Sequence, residues 1–407
     1  MASIMASFYE PGSIKYANLA EETFDLNWTK GAPNGNREAD RCFNDLHDAL
    51  QAKGNIALYI DDMVCGMSAV WALIFSNGSL LSDRDLHKES KIRPLAQDLG
   101  NNWNGLSGSV VDMSARISNL GLRYWETYHS LNALFILWGL EAIVQSWLVS
   151  AHLNATDRDN FERDYEYLLT DSIDRWFFLS QWAGTWSEGG DAAFQGYLKD
   201  LSALRTRLGN LSLWNASVHE ISTVINCWLD GFKPQARLYV DALSAASWGS
   251  VQQYFGPLWV WNRLDTKRWD IAKIQLREFH LRASKLLATD VDHIVPVKIW
   301  TTNTTGGPLD DEAGIINSIG NCSLLERTFN IAKSAEPAYD FFAKVHDFRN
   351  ENITFKGFVR SMRVKGSLLR PAGRSKQQLS LFIRKREDVI KNDLKAYVDG
   401  SLQRVDL

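Results

Sequence analysis

From about Asn36 to Ala288 the apolar side chains recur every three or four residues, and near residue 290 that rhythm stops. A period near 3.6 is the mark of amphipathic helices, so most of the chain is expected to be helical. In 157–178, Phe161, Tyr165, Tyr167, Leu168, Ile173, Trp176 and Phe177 keep this spacing, and Thr170 with Asp171 could cap a new helix inside the run. In 192–208 the in-phase residues are Phe194, Tyr197, Leu198, Leu201 and Leu204. The segments 236–255 and 268–287 read the same way. Glycine-rich breaks are few; TWSEGGD at 185–191 is the clearest, a loop marked by Gly189 and Gly190. No repeat of solenoid period is present.

Bulk properties narrow the class. With 407 residues, 45% hydrophobic and 23% charged, the chain can bury two or three cores, which excludes disorder, collagen and coiled coil as whole-chain descriptions. Its four cysteines, Cys42, Cys65, Cys227 and Cys322, include no C-x-x-C pair. A zinc knuckle and a disulfide scaffold are therefore not expected, and a reducing, cytoplasmic setting fits best. The start, MASIMASFYEPGS, lacks the basic and apolar regions of a signal peptide.

The stretch 131–152 has nearly the ~20 residues of a membrane span. Glu141 and Gln145 share one face of it, and no Lys/Arg cluster flanks one side. A carboxylate at mid-bilayer costs about 2.5 kcal/mol or more, so a buried core helix is expected and no membrane partner. Of 16 tryptophans, 15 precede residue 280. Trp176, Trp182 and Trp186 at helix spacing are expected to make core, the alternative being an aromatic slot for a flipped base.

Beyond residue 290 the residue types change. DVDHIVPVKIW at 290–300 is β-rich, TTNTTGG follows as a polar loop, and NCSLLERTFNIAKSAEP from Asn321 reads as a strand running into a helix. Asp292 and Asn330 can offer oxygen ligands to a hard divalent cation. His293 is a base suited to neutral pH, and Lys333 can offset phosphate charge. These are the residue types a one-metal phosphodiesterase needs.

DHIVP, GNCSLL and FNIAKS, in that order, resemble the HNH, or ββα-metal, nuclease motif. The closest likeness is to the C-terminal HNH domain of GmrSD-type modification-dependent restriction enzymes. IRKREDVIKNDLKAYV resembles that domain's Arg-bearing last helix, and the likeness covers roughly residues 266–407. It implies His293 as general base, Asp292 and Asn330 as ligands of Mg²⁺ or Mn²⁺, Asn321 as a brace for the loop carrying the base, and Lys333 facing phosphate. The stretch from Asp292 to Asn321 is long for the family, which implies an inserted loop. The paired C-x-x-C zinc motifs of many HNH proteins are absent from the sequence. So is the aspartate-glycine-glutamine-glutamine-arginine motif of the resembled family's nucleotide-using domain, as is a G-x-x-x-x-G-K-[ST] loop. A separate NTPase or recognition subunit is thus an expected partner.

Charge supports a nucleic-acid partner. Lys356, Arg360, Arg363, Lys365, Arg370, Arg374, Lys376, Arg384, Lys385 and Arg386 fall in a window free of Asp and Glu, with Phe355, Phe358 and Phe382 interleaved. Such a segment is expected to contact a DNA backbone. The formal net charge of −4 hides this, because residues 281–407 hold 20 basic and 15 acidic side chains. The expectation is a mainly α protein: a helical, Trp-rich recognition or partner domain at 1–265, then an α+β domain at 266–407 with the ββα-metal motif. The expected function is metal-dependent DNA cleavage in bacterial restriction or antiphage defence. Two alternatives stand beside it: a non-cleaving DNA-binding or regulatory subunit of a defence complex, and an RNase or toxin effector.

Overall fold

The computed structural model describes residues 38–54, 58–80, 89–119, 130–187, 190–244, 251–262, 264, 289–302, 309, 311–345, 364 and 366–402. These residues are mainly helical, with one small two-stranded antiparallel sheet near the C-terminus. Contacts divide the chain into two compact units, Met1–Asp230 and Gly231–Leu407. The division lies before the expected 265/266 boundary, because Phe255, Trp259 and Trp261 are buried within the second unit.

The first unit contains α1 (Glu38–Gly54), α2 (Ile60–Phe75), α3 (Glu89–Asn119), α4 (Asn132–Ser150), α5 (Ala155–Leu168), α6 (Asp174–Trp182), α7 (Gly190–Leu208) and the start of α8 (Trp214–Asp241). Helix α4 is its axis. Residues Ala133 to Val144 are all buried, and α2, α3 and α7 pack on it. Two glycines permit the close approach: a Cβ on Gly66 would run into the Trp138 ring, and one on Gly139 into the Leu73 side chain. Trp138 Nε1 donates to Ser114 Oγ at 2.7 Å, so the indole is buried without an orphaned N–H. Among the described residues α4 is the one helix long and apolar enough to cross a bilayer, and here it is a core helix. Its acid is accommodated by two donors, Gln145 Nε2 at 2.8 Å and Tyr165 Oη at 3.0 Å, while burial holds Glu141 above the usual carboxylate range.

Local chemistry explains the helix ends. Asp62 accepts from the Tyr59 backbone N–H at 3.2 Å and caps α2, and Asn154 accepts from Asp157 N–H at 2.9 Å and caps α5. Thr170 does not cap a new helix as the sequence suggested. Residues Leu169–Ile173 form one π-helical turn joining α5 to α6, and the Thr170 hydroxyl donates back to Glu166 O. Trp176, Trp182 and Trp186 are all buried, with Trp186 Nε1 donating to Ser180 Oγ at 3.1 Å. They are core, as expected.

The second unit runs from the end of α8 through α9 (Phe255–Asn262), β1 (Thr289–His293), α10 (Val297–Thr302), α11 (Glu312–Ile316), β2 (Cys322–Glu326), α12 (Arg327–Lys333), α13 (Ala338–Val345), α14 (Gly366–Leu369) and α15 (Lys376–Asp399). Strand β1 pairs antiparallel with β2, His293 opposite Cys322 and Asp292 opposite Ser323. Helix α12 follows β2 directly and packs on both strands. The expected β-rich run to Trp300 is corrected: pairing stops at His293, and Pro296 starts α10, its carbonyl accepting from Ile299 and Trp300 N–H. The core joins Ile294, Val295 and Trp300 to Ile316, Leu325 and Phe341, closed by Leu379 and Ile383 of α15. Helix α15 is sharply bounded, with Ser375 and Gln378 forming a reciprocal cap and Gly400 at φ 82° ending it. The helix expected over 268–287 lies outside the described residues.

Candidate functional site

Strand alternation puts Asp290 and Asp292 on one face of β1. On α12, Asn330 and Lys333 are three apart and share a face. The two faces meet: Asn330 Nδ2 lies 3.5 Å from Asp290 Oδ2, and Lys333 Nζ lies 3.1 Å from Asp292 Oδ2. Asp292 and Lys333 are buried, at 9% and 1% exposure. Burial raises the Asp292 pKa to about 6, outweighing the Lys333 cation that pulls the other way. Asp290 was not singled out from sequence, although the D-V-D alternation places it beside Asp292.

His293 ends β1. Its Nε2 lies 3.0 Å from Asn317 Oδ1, and with that oxygen accepting, Nε2 carries the proton and Nδ1 is the basic nitrogen. Burial, assisted by the Lys333 charge, holds the imidazole pKa below its ordinary value and opposes the Asn317 hydrogen bond. The ring is therefore neutral, and able to accept a proton, at pH 7. Asn317 is a second residue that sequence reasoning missed; it lies inside the long insert, where spacing gave no cue.

Asn321 sits at the turn before β2, fully buried. Its Oδ1 accepts from Val295 N–H at 2.9 Å, its Nδ2 donates to Val295 O at 3.2 Å and Ile316 O at 2.8 Å, and its own carbonyl accepts from Ile294 N–H at 2.7 Å. One side chain thus clamps the segment leaving His293 to the turn leading into β2.

The expected basic set divides. Lys356, Arg360, Arg363 and Lys365 lie outside the described residues. Arg374, Arg384 and Lys385 are exposed, and so is Arg370, with its guanidinium 3.5 Å from the Tyr339 ring centroid. Two members are engaged within the unit. Lys376 is tied to Glu312, 2.9 Å from each carboxylate oxygen. Arg386 is 7% exposed and donates through Nη1 to the carbonyls of Ile319, Gly320 and Cys322 at 3.2, 3.0 and 2.8 Å. Burial lowers its pKa to about 10. It belongs to the apolar stripe Leu379, Ile383, Ile390, Leu394, Tyr397 of α15, not to a surface.

Asp290 and Asp292 carry carboxylates and Asn330 an amide, the residue types a hard divalent cation takes; here the Asn330 Nδ2 faces Asp290 and the Lys333 ammonium is drawn to Asp292. Among the described residues no three His, Cys, Asp or Glu side chains form a metal-holding group, so the amide is needed to complete the set. No family model matches the chain, and no curated protein does.

Proposed function

We propose that the second unit is an HNH, or ββα-metal, nuclease that hydrolyses DNA phosphodiester bonds, in the cytoplasm, as part of bacterial restriction or antiphage defence. One observation carries the reading. A strand–strand–helix arrangement sets Asp292 of β1 against Lys333 of α12 and Asp290 against Asn330, His293 follows at the end of the same strand, and Asn321 braces the loop beside it. These residues are spread in sequence from Asp290 to Lys333, and three separate blocks of the resemblance meet in them.

The chemistry follows from the side chains. His293, neutral and fixed through Nε2, takes a proton from water at Nδ1, and the water oxygen attacks phosphorus. The bond from phosphorus to the 3′ oxygen breaks, leaving a 5′ phosphate, and the departing oxygen gains a proton from solvent. Asp292 and Asn330, with Asp290 beside them, would hold Mg²⁺ or Mn²⁺. Such a cation supplies charge stabilisation at the phosphoryl group and the departing oxygen. Asn321 keeps the His293 loop in place, and a displacement of about 1 Å there would cost roughly 100-fold in rate. Arg374, Arg384 and Lys385 offer exposed positive charge to the DNA backbone. A separate NTPase or recognition subunit is the proposed partner.

The test is plasmid nicking with Mg²⁺ or Mn²⁺. His293→Ala should abolish nicking and keep DNA affinity; equal cleavage by the variant overturns the reading. The same assay run with RNA, and with wild type that binds DNA without cutting it, separates the effector and regulatory-subunit readings.

A further inference from the structure

We infer that Lys333 is a displaceable counter-ion: its ammonium holds Asp292 until a divalent cation takes that carboxylate, and its release is the step by which the site loads. The inference rests on the nuclease reading and concerns the loading of the same site.

Resemblance made Lys333 a residue facing phosphate. The geometry gives it another position. The ammonium points inward, at 1% exposure, onto Asp292 Oδ2 at 3.1 Å, with the Ser334 carbonyl at 3.5 Å as a weak second partner. A buried carboxylate with a second carboxylate, Asp290, on the same strand face draws positive charge. Lys333 supplies one unit of it, and a divalent cation would supply two. Both cannot use Oδ2 together, because a divalent cation at that oxygen would lie within a few ångströms of the ammonium, and the repulsion is strong where water is scarce. The two cations therefore compete.

The lysine is also placed to leave. It is the last residue of α12, and the chain turns away at Ser334, φ 48°. Its four-carbon stem can rotate outward without moving the helix. Once out, the charge lies next to where a phosphodiester would dock, so one side chain serves the site before and after loading.

The experiment uses the full chain and Mn²⁺ as probe. Mn²⁺ affinity is measured by calorimetry, and Lys333 is followed by amine labelling with mass-spectrometric readout. In wild type, labelling of Lys333 should rise about 10-fold on saturation with Mn²⁺, and Lys333→Met should bind Mn²⁺ about 10- to 100-fold more tightly. Asn330→Ala should bind it more weakly. Mn²⁺ binding with Lys333 still protected, or equal or weaker binding by Lys333→Met, overturns the inference and leaves the nuclease reading standing. Wild type that binds no Mn²⁺ overturns both. If Lys333→Met does not fold, Lys333→Gln replaces it and the labelling of wild type decides alone.

Discussion

Replacing Arg386 by Met would test whether this arginine is internal scaffolding or a DNA-binding side chain. Methionine keeps most of the stem and removes the guanidinium. Three carbonyls, of Ile319, Gly320 and Cys322, then lose a charged donor at 2.8–3.2 Å. A hydrogen bond to a charged group contributes about 1.5–3 kcal/mol, and carbonyls left buried without a donor add about 1–3. The cation–π interaction with the Trp261 ring, 5.1 Å from its centroid, adds about 0.5 to 1 kcal/mol. Against this, the variant relieves the burial cost that lowers the arginine pKa to about 10. The net loss is about 2–4 kcal/mol. For a unit of this size that is a fall of roughly 5–15 °C in Tm by calorimetry. At a temperature where the variant is folded, the salt dependence of its DNA affinity should match wild type. A Tm within about 2 °C of wild type together with a reduced salt slope would refute the reasoning and return Arg386 to the DNA-binding surface.

Arg384→Ala with Lys385→Ala is the complementary case: Tm should be unchanged, and the slope of log affinity against log salt should fall by about 1 for each phosphate that is no longer neutralised. Asn321→Ala should lower stability by about 2–4 kcal/mol in urea denaturation and nicking by at least about 100-fold, since three buried hydrogen bonds and the His293 loop depend on it. The Asp292 pKa is raised in the folded state from 3.8 to about 6, so the folded state binds this proton more tightly than the unfolded one. Its stabilising contribution is therefore present below pH ~4 and lost as pH rises to ~6, by up to about 3 kcal/mol; urea titrations of Asp292→Asn from pH 4 to 7 should lack that fall relative to wild type. The His293 pKa is lowered, so the acid limb of the nicking rate should lie below pH 6.5, and Lys333→Met should move it upward. Gly66→Ala should destabilise by about 1–3 kcal/mol through collision with the Trp138 ring.

The helices of the first unit were legible because their apolar period is set by burial: of the five residues the spacing selects on α7, Phe194, Leu198, Leu201 and Leu204 are buried and Tyr197 is half-buried. Two strands followed by a helix after residue 289 were legible from local composition, whereas the short helices α10 and α11 between the strands were not. The direction of long side chains was not. Lys333 and Arg386 are charged, and composition assigns charge to the surface; only partners far along the chain, Asp292 and the carbonyls of 319–322, make burial favourable. For Arg386 a cue did exist, since it falls in phase with Leu379, Ile383 and Ile390. Asn317 left no cue, because its role depends on where a 28-residue connection between Asp292 and Asn321 folds back to meet His293.

The clamp through Arg386 also has a consequence in time. Residues 319–322 are held by a helix that ends at Asp399, 66 positions after Lys333. A ribosome adding about 5–20 residues per second makes every side chain of the site roughly 3–13 s before it finishes the helix that fixes the Asn321 turn. During synthesis the base and its brace are present while the arginine that fixes the brace is not. Cutting competence, on this architecture, arrives only after α15 has left the ribosome and docked.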